Sequence, residues 1–111
     1  MNKKEEALLQ NFPKHNDNLK EQLKNDNEYA QMWLDSILED YSATKDVNEL
    51  IYNLKPLIEA QYTICEFANL IGIHRITLYK IFSRKMIPSI EILHKIFSGL
   101  GYDLKLYVKK A

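Results

Sequence analysis

The feature that most constrains the fold is the stretch of residues 63–82, which is typical of two short helices around a tight turn. Thr63 is a favourable N-cap residue, and Phe67 and Ile71 lie four residues apart on one face of the first helix. Gly72 offers the left-handed backbone conformation that ends a helix. The pattern predicts a helix-turn-helix, although an ordinary helical hairpin of a bundle has similar apolar spacing and remains an alternative.

The second helix of this stretch has an inner apolar side and an outer side without acids. We expect Leu78, Ile81 and Phe82 to face inward, and four side chains to face outward: Arg75, Ile76, Tyr79 and Lys80. No Asp or Glu occurs from residue 74 through residue 90. Such a face suits phosphate, which favours the helix-turn-helix over the hairpin.

The formal net charge of zero hides an asymmetry along the chain. Residues 1–73 hold 7 Lys against 13 Asp or Glu, whereas residues 74–111 hold 8 Lys or Arg against Glu91 and Asp103. The sign changes where the predicted second helix begins, so positive potential is expected where an anionic partner would dock.

Helical periodicity extends on both sides of the motif. Helices are predicted at about 28–42, 46–60, 63–70, 74–82 and 89–99, with a kink or break near Pro56. Residues 1–25 are mostly polar and are predicted to form a partly flexible arm in which Leu19 and Leu23 give at most a short helix, while residues 26–111 form one helical domain.

The C-terminal residues alternate with a period of two. Tyr102, Leu104, Leu106 and Val108 would share one side of a strand at 103–108, and the chain contains no second strand to pair with it. We therefore expect Leu104, Leu106 and Val108 to bind a partner, most simply a second copy of the chain. The fold class is mainly α, a phage-repressor-like helix-turn-helix bundle with extra N-terminal helices and one short C-terminal strand.

Composition argues against several other classes of protein. Cys65 is the only cysteine, so an intrachain disulfide is impossible, and no apolar run approaches the roughly 20 residues of a membrane span. Cys65 and the three scattered His offer no catalytic or metal-ligand spacing, and there is no Gly-rich phosphate loop. We expect a soluble intracellular protein that is not an enzyme and uses neither a cofactor nor a metal.

Several runs resemble the addiction-module antidote proteins, the helix-turn-helix antitoxins of bacterial type II toxin–antitoxin pairs. The similar runs are Phe67 to Lys80, Pro88-Ser89, Leu93 to Ile96 and Leu100 to Leu104, and the resemblance covers about residues 19–108. It implies a DNA-binding protein that neutralises a toxin and represses its own operon. A free-standing phage-type repressor and a protein-interaction module without DNA binding remain alternatives.

The resemblance also implies which residues face DNA. The DNA-facing positions of that class fall on His74, Arg75, Ile76, Tyr79, Lys80 and Ser83, and the basic residues Arg84 and Lys85 follow as candidates for phosphate contact. This chain departs from the pattern at two positions: Ile64 stands where a phosphate-binding Gln is frequent, and His74 stands where Ser is usual. The implied partners are double-stranded operator DNA and a cognate toxin, with no membrane and with the chain as a homodimer.

Overall fold

The computed structural model describes residues 16–111, which hold six helices and no strand. The helices are α1 (Asn16–Asn25), α2 (Asn27–Thr44), α3 (Val47–Glu59), α4 (Ile64–Ile71), α5 (Arg75–Phe82) and α6 (Ile90–Gly99). The chain divides into two compact units, of which the first runs to Gln61 and the second covers Tyr62–Ala111. The five predicted helices and the mainly α class are confirmed, whereas one domain over residues 26–111 remains a prediction.

The first unit is a bundle in which α1, α2 and α3 all contact one another. Asp26 and Asp46 start α2 and α3 as N-caps, because each carboxylate accepts backbone N–H bonds from the first turn that follows. The core of this unit consists of apolar side chains at helical spacing: Leu23, Ala30, Leu34, Ile37, Leu50, Ile51, Leu54, Leu57, Ile58 and Ala60.

Three observations in the first unit refine the predictions. Residues 16–25, predicted as part of a flexible arm with at most a short helix, form the complete helix α1. Its Leu23 is only 1% exposed, and this burial in the core stabilises the helix. Helix α3 continues past Pro56, so the alternative of a break there is wrong. Trp33 is half-buried and its indole N–H donates to the backbone carbonyl of Asn53 (3.0 Å), as expected for a structural aromatic residue. The expected fraying of residues 1–13 lies outside the described residues.

The second unit packs α4 against both α5 and α6. Its core is built around Phe67, which is fully buried with Ala68, Leu78, Ile81 and Ile96. A Cβ added at Gly99 would lie 2.5 Å from the Ile71 Cγ2 atom, so α6 approaches α4 closely there because residue 99 has no side chain. Ile90, predicted to face inward, is 51% exposed.

The predicted C-terminal strand at 103–108 is absent from the described chain. Residues 102–111 have no regular secondary structure, and Leu106 and Val108 are exposed, while Leu104 is half-buried. A strand requires ladder hydrogen bonds to a neighbouring strand, and residues 16–111 of a single chain contain none. The period-two pattern correctly marked an apolar segment but did not produce a strand.

Candidate nucleic-acid interface

Helix α4 begins with a complete capping box. The Thr63 hydroxyl accepts from the Glu66 backbone N–H (3.1 Å), and the Thr63 backbone N–H donates to the Glu66 carboxylate (3.0 Å). Both hydrogen bonds lower the pKa of Glu66 below its ordinary value of 4.5. The bond from the Thr63 backbone N–H has the larger effect, and the bond with the Thr63 side chain has the smaller one. The box satisfies two backbone donors that the first turn would otherwise leave without partners.

Gly72 ends α4 and sets the turn. Its φ of 73° is left-handed, the Ile73 N–H donates to the Ala68 carbonyl (3.0 Å), and the Gly72 N–H donates to the Asn69 carbonyl (3.3 Å). This pair of hydrogen bonds is the Schellman motif, which needs a residue at home in the left-handed region. The turn is therefore as short as predicted, because α5 begins only three residues after Gly72.

His74 caps the N-terminus of α5. Its Nδ1 atom accepts from the Ile76 backbone N–H (3.2 Å), the role that Ser commonly plays at this position of a helix. The exposed His74 side chain thus starts the helix and also presents a hydrogen-bonding group to solvent.

Helix α5 has one buried side and one open side. Leu78 and Ile81 are fully buried and Phe82 is 7% exposed, whereas Ile76 and Tyr79 are each 52% exposed. All eight residues predicted to face DNA are exposed: His74, Arg75, Ile76, Tyr79, Lys80, Ser83, Arg84 and Lys85. His74 directly precedes α5, the next four belong to α5, and the last three directly follow it.

The end of α5 repeats the Schellman geometry without a glycine. Arg84 has a φ of 64°, its N–H donates to the Ile81 carbonyl (3.2 Å), and the Lys85 N–H donates to the Lys80 carbonyl (2.9 Å). A non-glycine residue in the left-handed region costs about 1–2 kcal/mol. The chain keeps two cations at the C-terminal end of α5 in spite of that cost.

Arg75 contacts α4 through a residue that the sequence did not single out for binding. Its Nη1 atom lies 3.8 Å from the Cys65 sulfur as a weak hydrogen bond. Cys65 and Arg75 line a recess of 270 Å³ together with Asn69, Ile73 and His74. No spacing in the sequence indicated a role for Cys65 at this interface, and its position in the first turn of α4 is the one signal that it could reach the start of α5.

The unit that carries α5 is basic. Residues 62–111 hold 8 Lys or Arg against Glu66, Glu91 and Asp103, and residues 1–61 hold 7 Lys against 12 Asp or Glu. The net charges are therefore +5 and −5. The residues the structure describes contain no group of three or more His, Cys, Asp or Glu side chains able to hold a metal ion.

Ile64, which replaces a frequent phosphate-binding Gln, has a structural role. It is 8% exposed and belongs to the core of the second unit. The side chain at this position contributes apolar contact instead of a hydrogen bond. Phosphate contacts would then depend on other groups, and exposed cations that could make them follow in Lys80, Arg84 and Lys85.

The three residues predicted to bind a partner differ in how exposed their side chains are. Leu104 lines a groove of 670 Å³ with Leu70, Tyr102 and other residues of α4 and α6, whereas Leu106 and Val108 are 69% and 92% exposed. The C-terminal segment therefore presents apolar side chains that residues 16–111 of one chain do not cover.

A family model described as helix-turn-helix matches residues 57–106, which include α4, α5 and α6. No curated protein and no solved structure matches the chain significantly. No helix within residues 16–111 is both long and apolar enough to cross a membrane. The matched family is a DNA-binding regulator domain and not an enzyme, so the match and the geometry of α4 and α5 together support a DNA-binding transcriptional regulator of the helix-turn-helix class.

Proposed function

We propose that the chain is a DNA-binding antitoxin, which represses its own operon through α5 and neutralises a cognate toxin through the acidic outward face of α2 in its N-terminal unit. The observation that carries the proposal is the division of charge between the two units, with an acid-free, exposed recognition surface on the basic one. Both activities would take place in the cytoplasm, where operator DNA and toxin are accessible.

The DNA-binding half of the proposal assigns separate tasks to the exposed side chains. Arg75 is the candidate for a bidentate contact to guanine, and Tyr79 for contact to a base or a phosphate. Lys80, Arg84 and Lys85 would contact phosphates, which fixes register without reading sequence. In a symmetric dimer, two copies of α5 would enter successive major grooves about 34 Å apart and bind a short inverted repeat.

The toxin-binding half rests on the outward face of α2. Met32 is 62% exposed, and three acids share its side of the helix at spacings of three and four residues: Glu28, Asp35 and Glu39. A ribonuclease toxin is expected to be basic because it must hold RNA phosphate, and such a partner complements this face. Leu23 of α1 is buried in the core and cannot contact a partner, whereas Leu19 and Tyr29 are half-buried.

The proposed homodimer would form through the C-terminal segment. Leu106 and Val108 are exposed apolar side chains on a segment whose backbone has no ladder partner within residues 16–111, and a second copy related by a two-fold axis would supply one. Deletion of residues 103–111 is expected to give a monomer by light scattering. A dimer that persists after the deletion would put the interface elsewhere.

The decisive experiment separates the two activities in the full chain. We would co-express it with the product of the neighbouring gene and score growth, and would measure binding of the purified chain to the upstream promoter duplex. Glu28→Lys with Glu39→Lys is expected to abolish growth rescue and to leave promoter binding intact, because like charges would face a basic toxin. Arg75→Ala with Lys80→Ala is expected to do the reverse.

A matched control has the same change in charge on other surfaces. Glu21→Lys with Glu91→Lys changes two exposed acids outside α2 and should rescue growth as well as the wild type. Equal rescue by the α2 variant would refute the proposed toxin site. Promoter binding without any toxin in the neighbouring gene would favour the free-standing regulator instead.

A further inference from the structure

Ile76 occupies the centre of the open side of α5. Successive residues of an α-helix are rotated by about 100°, so the direction opposite the buried trio Leu78, Ile81 and Phe82 is that of Ile76. The side chain is 52% exposed although it is fully apolar. The centre of the candidate recognition surface is therefore a branched hydrocarbon, and Lys80 lies one turn further along the same side of the helix.

Two neighbouring polar side chains, those of Arg75 and Ser83, have partners within the protein. The Arg75 guanidinium reaches toward α4, where Nη1 contacts the Cys65 sulfur at 3.8 Å. The Ser83 hydroxyl donates to the backbone carbonyls of Tyr79 (2.8 Å) and Lys80 (3.3 Å), so its proton is used within the helix. The Arg75 guanidinium is therefore held at α4, and the Ser83 hydroxyl proton is not available to a base beside Ile76.

The chemistry of Ile76 selects among the base edges of the major groove. Thymine presents a C5-methyl group there beside its O4 acceptor, whereas guanine, adenine and cytosine present no methyl group. An isoleucine against the hydrogen-bonding groups of those three bases would remove water from them without replacing the hydrogen bond, which is unfavourable. Its β-branched side chain also keeps one preferred rotamer in a helix, so little freedom is lost when it packs against a methyl group.

We propose that Ile76 is a specificity-determining residue that contacts the 5-methyl group of a thymine, in the same half-site as the guanine read by Arg75. This inference rests on the proposed DNA-binding function and deepens it. One thymine in each half-site is then recognised by Ile76 through its methyl group. Ile76 makes no hydrogen bond to that base pair.

The test begins with the wild-type full chain and a pool of random duplexes, from which the bound sequence is selected. Each thymine of the selected half-site is then replaced singly by deoxyuridine, which lacks only the methyl group. At one position per half-site, affinity is expected to fall about fourfold, the equivalent of about 0.8 kcal/mol for one buried carbon. The Ile76→Ala variant is expected to bind the thymine and uracil duplexes equally.

Further variants separate this contact from general effects on folding or affinity. Ile76→Val keeps a branched side chain and should retain part of the preference, whereas Ile87→Ala removes the same atoms from another exposed isoleucine and should leave it unchanged. Circular dichroism checks that each variant is folded. A duplex with 5-methylcytosine·guanine in place of the thymine·adenine pair is expected to bind better than one with cytosine·guanine in the wild type and in Ile87→Ala, but not in Ile76→Ala.

Two results would overturn the inference, and they are distinguishable. If the wild type selects a sequence but binds every uracil duplex as well as the thymine parent, the methyl contact does not exist while DNA binding stands. If the wild type selects no sequence and binds no duplex, the proposed DNA-binding function fails as well.

Discussion

The two compact units are built alike but present opposite surfaces. Both bury aliphatic cores and start their helices with polar N-caps, and both contain one helix end with a left-handed non-glycine residue, Lys45 in the first unit and Arg84 in the second. The first carries a net charge of −5 and the second +5. The core defines how each unit folds, while the outward residues define what it attracts.

The outward helix faces make the contrast concrete. On α2 the exposed Met32 is surrounded by acids, and on α5 the exposed Ile76 is flanked by Arg75 and Lys80. Each face thus combines one apolar side chain with charges of a single sign. Two surfaces on one short chain can therefore favour partners of opposite charge.

The largest effect is expected in the cores. Phe67→Ala should lower the free energy of unfolding by about 3–5 kcal/mol, and Leu54→Ala in the first unit by about 2–5 kcal/mol, because both side chains are fully buried. Chemical denaturation measures the loss, and exposed Leu70→Ala is the control for the second unit. A loss below 1 kcal/mol for Phe67→Ala would contradict this packing.

Hydrogen exchange of the same variants sharpens the comparison of the units. Loss of protection over residues 62–111 alone in Phe67→Ala would indicate two separately stable units. Equal loss throughout the described chain would support the single helical domain predicted for residues 26–111.

The next effect concerns DNA. Arg75→Ala should cost about 1–3 kcal/mol of binding and relax specificity at one base pair, because a bidentate base contact is lost. Lys80→Ala should weaken all sequences alike and reduce the salt slope by about one unit. The control is Lys24→Ala, an exposed lysine of the acidic unit. Unchanged binding in both variants would mean that α5 does not read DNA.

Helix caps should give smaller, pH-dependent effects. Thr63→Ala and Asp46→Ala should each cost about 0.5–2 kcal/mol, since each removes an N-cap acceptor. Thr63→Ala should also change how the free energy of unfolding depends on pH in the acid range. Because the pKa of Glu66 is lowered in the folded chain, its contribution is present above the unfolded value near 4.5 and is lost as pH falls through the folded value.

The measurement for the caps is thermal unfolding between pH 7 and pH 3. Glu66→Gln should remove the pH dependence, and Thr63→Ala should remove only part of it because the backbone N–H at position 63 remains as a donor, whereas Asp46→Ala should retain it. If the unfolding temperature of the wild type and of Glu66→Gln fell equally between pH 7 and pH 3, the Glu66 carboxylate would not contribute to the pH dependence of stability.

The smallest effect is expected at the two left-handed helix ends. Lys45→Gly and Arg84→Gly should each gain about 1 kcal/mol from the backbone, since glycine adopts positive φ without a steric cost. Only Arg84→Gly should weaken DNA binding, which a salt titration of duplex affinity detects. Equal DNA affinity of the two variants would remove Arg84 from the interface.

The sequence by itself determined the helices and the helix-turn-helix. Thr63, Gly72 and Ser89 act through hydrogen bonds within a few residues or through their own backbone preference, so their caps could be predicted without knowing the fold. The exposed side of α5 followed from periodicity in the same way, because a helix that buries one face must expose the other.

Tertiary structure decided the features that depend on distant contacts. Leu23 is core and not an anchor, because α1 packs on α2 and α3. Cys65 meets Arg75 only because α4 and α5 cross at the turn. The segment after Gly101 shows the limit most clearly: its alternating pattern fits a strand, but a strand forms only beside another strand, and no local preference of the chain provides one.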